Sequence, residues 1–239
     1  NTINLRNRGQ APSLEHPLGT DATGRDVFAR TLYGGRVSLA VGFVAVILST
    51  VIGVLIGSLA GYFPGWTDTL LMRFTDLIMT FPRLVIVIAL VAVVGAGVLN
   101  TMLVLGLLSW PGIARLVRGE FLRLREQEYV TAAQSLGAQS GTVITRHILP
   151  NTIGPLVVAV TLGMADAILL EATLSFLGLG VQIPTPSWGN MLQSAQSLTT
   201  LKSMPWLWIA PGTLIVLAVL SINFIGDGLR DALDPKSVL

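Results

Sequence analysis

The sequence of 239 residues contains no cysteine, which excludes disulfides, iron–sulfur clusters and thiolate zinc sites. Its only lysines are Lys202 and Lys236, and neither follows a glycine. A Gly-x-x-x-x-Gly-Lys-Ser/Thr run is therefore missing, and with it the phosphate-cradling P-loop an ATPase of that type needs. The two histidines, His16 and His147, have no metal-ligand neighbour three or four positions away, so both read as structural and no metal or other cofactor is expected. Ser38, Ser49 and Ser58 lack the partners of a nucleophile. Charge is scarce too, at 12% of residues, roughly half of what a soluble domain carries. The net charge of +2 is too small to argue for nucleic acid.

What remains is apolar: 52% of the residues, with a mean hydropathy of +0.72. Residues 37–67 carry no charge, and neither do residues 84–114. About 20 apolar residues span a bilayer as helix, and the alternation of membrane β-strands is absent. The expected class is thus an all-α integral membrane protein. The spacing predicts spans at about 37–62, 70–95, 98–116, 153–177 and 206–225. The first 36 residues read as a polar segment with one short helix near 25–33. Asp68 is placed to cap the second span. Residues 117–150 and 178–205 form the long loops, and 226–239 a tail. Placing Arg73, Asp76 and Arg83 in or beside the second span is the cost of counting five spans; the alternative makes 70–116 one broken span. Arg118, Arg123, Arg125 and Arg146 put the 117–150 loop on the cytoplasmic side, and 178–205, with only Lys202, outside. Five spans then place 1–36 outside despite its five arginines. The opening Asn-Thr-Ile-Asn, without Met, leads us to expect sequence upstream.

The loop at 128–150 has the clearest local pattern. Tyr129, Ala132, Ala133 and Leu136 fall at i, i+3, i+4 and i+7 of one helix face. Gly137 is placed to end that helix and Ser140 to cap a second, with Val143, Ile144 and Ile148 on its apolar face and Pro150 beyond. Two short helices held rigidly against a membrane suit the transmission of force from a moving partner. A helix-turn-helix DNA reader would need a third helix and its own core, for which the loop has no room. Within the spans, Asp76, Asp166 and Glu171 are candidates for a polar pathway, since intramembrane charge is costly. Asp166 and Glu171 stand about 140° apart around a helix. Trp206 and Trp208 fit an interfacial aromatic belt; Trp188, flanked by prolines and Gly189-Asn190, is a candidate contact for an external protein.

Thr131-Ala132-Ala133, then Gly137, then Ile148-Leu149-Pro150 resembles the EAA motif of ABC importer permeases, with Thr131 where that motif has Glu and His147 where it has its first Ile. The resemblance extends to His16-Pro17-Leu18-Gly19-Thr20-Asp21, Gly24-Arg25-Asp26 and Tyr33-Gly34-Gly35-Arg36. It continues through Leu170-Glu171-Ala172, Leu174-Ser175-Phe176-Leu177-Gly178-Leu179-Gly180, Pro184-Thr185-Pro186-Ser187-Trp188-Gly189-Asn190 and the tail from Gly226 to Pro235. Nearly the whole chain is covered, and the set resembles the C-type subunit of the dipeptide, oligopeptide and nickel group. The resemblance implies a type I ABC importer permease fold, six spans with one upstream of Asn1, and a prokaryotic plasma membrane. It also implies a homologous B-type permease, two ABC ATPases that bind Mg-ATP, and an extracytoplasmic peptide-binding protein. ATPase coupling would fall on Glu128, Tyr129, Ala132, Ala133, Leu136, Gly137, His147 and Pro150, Glu128 being the acid nearest to the absent motif Glu. A nickel or other small-solute permease is the alternative on the same scaffold, and a membrane-tethered regulator the remote one.

Overall fold

The computed structural model describes residues 4–233, and the tail residues Asp234, Pro235 and Lys236 lie outside the described residues. Helix α1, Val27–Tyr62, has 36 residues and so runs about 54 Å, well beyond a hydrocarbon core of about 30 Å. Asp26 caps it, accepting from the Ala29 N–H at 2.7 Å. The short helix expected at 25–33 and the span expected from 37 are therefore one helix. Gly34 and Gly35 do not break it because the 187–188 backbone packs against Gly34 and the Trp188 indole against Gly35; a Cβ on Gly35 would come within 2.7 Å of that ring.

Gly65, at φ +94°, opens α2, Trp66–Met79, and α3, Arg83–Val94, follows at an angle of 84°. Asp68 is not the cap expected of it. It sits in the first turn of α2 and takes a bidentate pair of hydrogen bonds from Arg118 at 2.5 and 2.6 Å. The break at 80–82 follows from Pro82, which disfavours helical geometry in Phe81. After the tight turn at 95–97 comes α4, Val98–Leu124. It continues two turns past the expected end because Val117, Phe121 and Leu124 keep one apolar face buried.

Helices α1 and α4 run parallel. A Cβ on Gly53 would touch Ile113, one on Gly57 Ala114 and Val117, and one on Gly61 Phe121, so both sequences advance in the same direction. The chain must cross back between them, and only α2 and α3 are available. That settles the count: the bent pair is the second crossing, and 70–116 is not one broken span.

Helix α5, Glu128–Ser135, and the single turn α6, Ser140–Thr142, form an elbow at the far end of α1 and α4. Ser140 does not cap the turn; it is the first helical residue, and Gln139 occupies the cap position. From there the chain winds without a loop through a π-helical stretch, Val143–Ile148, and a 3-10 stretch, Leu149–Thr152, into α7, Ile153–Phe176. Pro150 accounts for the change of pitch, since it has no N–H to donate and crowds the preceding turn. Helix α7 returns antiparallel to α1, with Glu171 beside Ser38 and Gly163 beside Val46. Two short helices, α8 at Trp188–Leu192 and α9 at Leu198–Ser203, cover the near end before α10, Trp206–Leu233, makes the fifth crossing and runs beyond the expected end at 225. The N-terminal segment and the 178–205 loop share one end of the bundle, and the elbow lies at the other.

Candidate functional site

The elbow is held by few but buried side chains. Val130, Val143 and Ile148 are fully buried against Val117, Phe121 and Leu124 of α4. Gly137, at φ +86°, ends α5, and the Ala138 N–H donates to the Ala133 carbonyl at 3.1 Å, a Schellman-type closure. Outward, Leu136 is 90% exposed and Tyr129 44%; Ala132 and Glu128 are exposed and Ala133 is half-buried. Three of the four residues expected on the outer face thus point away from the chain, and Ala133 turns partly inward. Thr131 donates to the Glu128 carbonyl at 2.9 Å and spends its hydroxyl there. His147 is half-buried, and its carbonyl accepts from Asn151 Nδ2 at 2.7 Å. Pro150 is exposed. Leu136 and Tyr129 thus form an apolar tip on a helix that its buried face holds against α4.

A second feature runs along the bundle. Asp68 and Asp76 lie two turns apart on α2, and Arg118 and Arg115 one turn apart on α4. Arg118 pairs with Asp68 and Arg115 with Asp76, the latter at 2.5 Å. Arg83, at the start of α3, pairs with Asp166 of α7 and also donates to Ser109 of α4. The Asp76, Arg115, Arg83 and Asp166 side chains are 36–51% exposed. Charges exposed to that degree within spans face water or another protein, because hydrocarbon would not hold them. The structure thus brings Asp76 and Asp166 onto a charged seam between α2–α3 and α4–α7. If the seam faces water, Asp166→Asn is expected to cost about 1 kcal/mol, as for a solvated pair; a seam sealed from water would lose about 3–5 kcal/mol. The thermal midpoint of the purified complex reads the difference, and the larger loss would argue against an aqueous seam.

Two expected sites need correction. Glu171 is fully buried and lines no path within this chain. Its carboxylate accepts from the Ser38 and Ser175 hydroxyls, each at 2.7 Å, which pins α7 to α1. Trp188 is only 5% exposed. Its backbone N–H donates to Ser38 Oγ at 3.1 Å and its indole N–H to the Thr31 carbonyl at 3.0 Å. Both residues belong to one polar knot that fastens the 178–192 strap to the bundle, so Trp188 offers no surface to a docking protein. Proline neighbours marked a loop in the sequence but carried no sign that its tryptophan turns inward.

Sequence reasoning left out Arg83, Arg115 and Arg118 as site residues. Same-face spacing was the available signal, since Asp68 and Asp76 stand eight apart and Arg115 and Arg118 three apart. It also passed over Val130, whose burial anchors α5 as one isolated apolar position.

Five helical crossings, a charged seam and a projecting elbow define a multi-pass membrane permease subunit. Residues 53–238 match the family described as binding-protein-dependent transport system inner membrane component, and the chain belongs to that family. It is 52% identical over 239 residues, all of this chain and 79% of the relative, to a protein of Brucella suis biovar 1 named as a peptide permease. It is 46% identical over 233 residues, 98% of this chain and 76% of the relative, to the dipeptide transport system permease protein DppC of Alkalihalophilus pseudofirmus. The fold is also that of a solved structure of the methionine ABC transporter MetNI in an inward-facing conformation, with a TM-score of 0.69 at 21% identity over 86% of this chain and 97% of that one. The fold is that of a type I ABC importer permease.

Proposed function

We propose that this chain is the C-type permease subunit of an ATP-driven importer of di- and oligopeptides, seated in a prokaryotic plasma membrane. The observation that carries the reading is the elbow, a rigid helix pair with an unpartnered apolar tip at one end of a five-crossing bundle. Relatives named for peptide and dipeptide transport support the substrate class. Arg118, Arg123, Arg125, Arg146 and Arg230 at the elbow end support its cytoplasmic placement. The 1–36 segment and the 178–205 loop are then extracytoplasmic, since long external segments cross despite their arginines. Residues 37–239 make up the transmembrane domain, with the coupling loop at about 117–150.

On this reading the chain binds no nucleotide. Two ABC ATPase subunits bind Mg-ATP, and one of them grips the elbow through Tyr129, Ala132 and Leu136, with Glu128, Ala133, Gly137, His147 and Pro150 shaping that surface. A homologous B-type permease faces the seam, so that Asp76 and Asp166 line half of a path whose charges suit the two charged ends of a peptide. When ATP draws the ATPases together the elbow follows, and the spans reopen outward to a peptide-loaded binding protein. Reconstituted with these partners in liposomes, the complex is expected to accumulate radiolabelled dialanine only with ATP and binding protein. Uptake of nickel ions but of no peptide would overturn the substrate class, and recovery of the chain without any ATPase would overturn the coupling.

A further inference from the structure

At the end of the bundle opposite the elbow, residues 21–30 meet the 183–207 stretch around a half-open cavity of about 260 Å³. Asp21, Arg25, Arg30, Asn190, Gln193 and Thr200 are among its walls. Arg30 is the unusual member. Its side chain is 92% buried, being 8% exposed, yet Nη1 has no hydrogen-bond partner among the described residues. The nearest anion is Asp21, whose Oδ2 lies 3.7 Å from Arg30 Nε, beyond hydrogen-bonding distance.

Asp21 is already spent. Its Oδ1 accepts from the Thr23 N–H at 2.8 Å, the Thr23 hydroxyl at 2.6 Å and the Arg25 N–H at 3.0 Å, and its Oδ2 accepts from Arg25 Nε at 2.8 Å. Burial opposes its charge, yet the Thr23 hydroxyl, the two backbone N–H groups and the Arg25 guanidinium together hold the carboxyl below the usual range. Two guanidinium groups therefore face one carboxylate, leaving the cavity one positive charge in excess. A buried guanidinium with an unpaired N–H group is costly, and a carboxylate is the group that answers such a charge, because its two oxygens fit the planar fork.

We propose that the Arg30 cavity receives one acidic side chain of the extracytoplasmic binding protein when that protein docks. The cavity is half-open, so a side chain projecting from a docked protein can enter it. It opens at the end that the topology above places outside, where a binding-protein-dependent permease must meet its partner. It also replaces Trp188 as the point of contact, for the same 178–205 loop turns Trp188 inward while Asn190, Gln193 and Thr200 face the cavity. The assignment rests on the importer reading but not on the substrate being a peptide.

The test uses the full complex in nanodiscs and its substrate-loaded binding protein. Arg30→Gln is expected to raise the dissociation constant for docking about 10- to 100-fold, the loss of one charge-assisted pair. Gln193→Glu, which leaves Arg30 in place and supplies an internal carboxylate, is expected to weaken docking similarly while the assembled complex is recovered at wild-type yield. Unchanged docking affinity in both variants overturns the assignment. So does an Arg30→Gln complex that fails to assemble while Gln193→Glu docks normally, since Arg30 is then structural. A wild-type complex that docks its binding protein through Arg30 but imports no peptide overturns only the substrate class proposed above.

Discussion

The Leu136→Asp variant is expected to reach the membrane in normal amount and to lose ATP-driven uptake about a hundredfold. Leu136 is 90% exposed, so its replacement removes no contact within the chain and opens no cavity. In the proposed complex the same side chain enters an apolar surface of the ATPase. Burying an unpaired carboxylate there costs about 3 kcal/mol or more, which is about two orders of magnitude in affinity. Ala133 is a poorer probe. It is half-buried and its carbonyl closes the turn at Gly137, so a charge at that position disturbs the elbow as well as the interface. Val130→Asp is the contrasting variant: Val130 is fully buried in the seat on α4, and its loss should unfold the elbow itself. The measurements are copurification of the ATPases and uptake into proteoliposomes. Normal uptake by Leu136→Asp removes the elbow from the coupling path.

Much of this arrangement is legible in the residues, and the exceptions share a cause. Uncharged runs at 37–67 and 84–114 reported crossings because a bilayer imposes length and polarity on each span. Gly137 and the pattern from Tyr129 to Leu136 reported a capped helix because both signals are local. What the sequence did not disclose depends on contacts between distant segments. Gly34-Gly35 looks like a break until Trp188 is laid against it from more than 150 positions away. Glu171 looks like a pathway acid until Ser38, 133 positions away, is seen to hold it. The second span resisted counting because Asp76 and Arg83 are dissonant in a lone helix and make sense only beside Arg115 and Asp166. Direction gave the answer there: α1 and α4 are parallel, so one crossing must lie between them.

That parallel contact also predicts a severely damaging single change in the bundle, Gly57→Leu. Gly53, Gly57 and Gly61 are spaced by four and form one stripe along α1. A Cβ on Gly57 would stand 2.5 Å from the Ala114 carbonyl oxygen and 2.8 Å from Val117 Cβ. The obstructing oxygen is backbone, so no rotamer change relieves the clash and α4 itself must move. In a membrane there is little hydrophobic force to draw helices back together; close packing of small residues is what joins them. Overpacking of a core costs about 1–3 kcal/mol, and a backbone clash belongs at or above the upper end. The damage should reach the elbow, because Val117 and Phe121, which α1 would push aside, also seat Val130 and Ile148. Gly57→Leu is therefore expected to lose both assembled complex and ATPase binding, with Gly57→Ala intermediate. Gly119 lies on the same α4 segment but nothing in the chain lies within 4 Å of the position its Cβ would take, so Gly119→Ala should be tolerated and gain roughly 0.5–1 kcal/mol in helix stability. Yield and monodispersity of the detergent-purified complex separate the variants, and equal loss in Gly57→Ala and Gly119→Ala would show that the glycine stripe is not what joins α1 to α4.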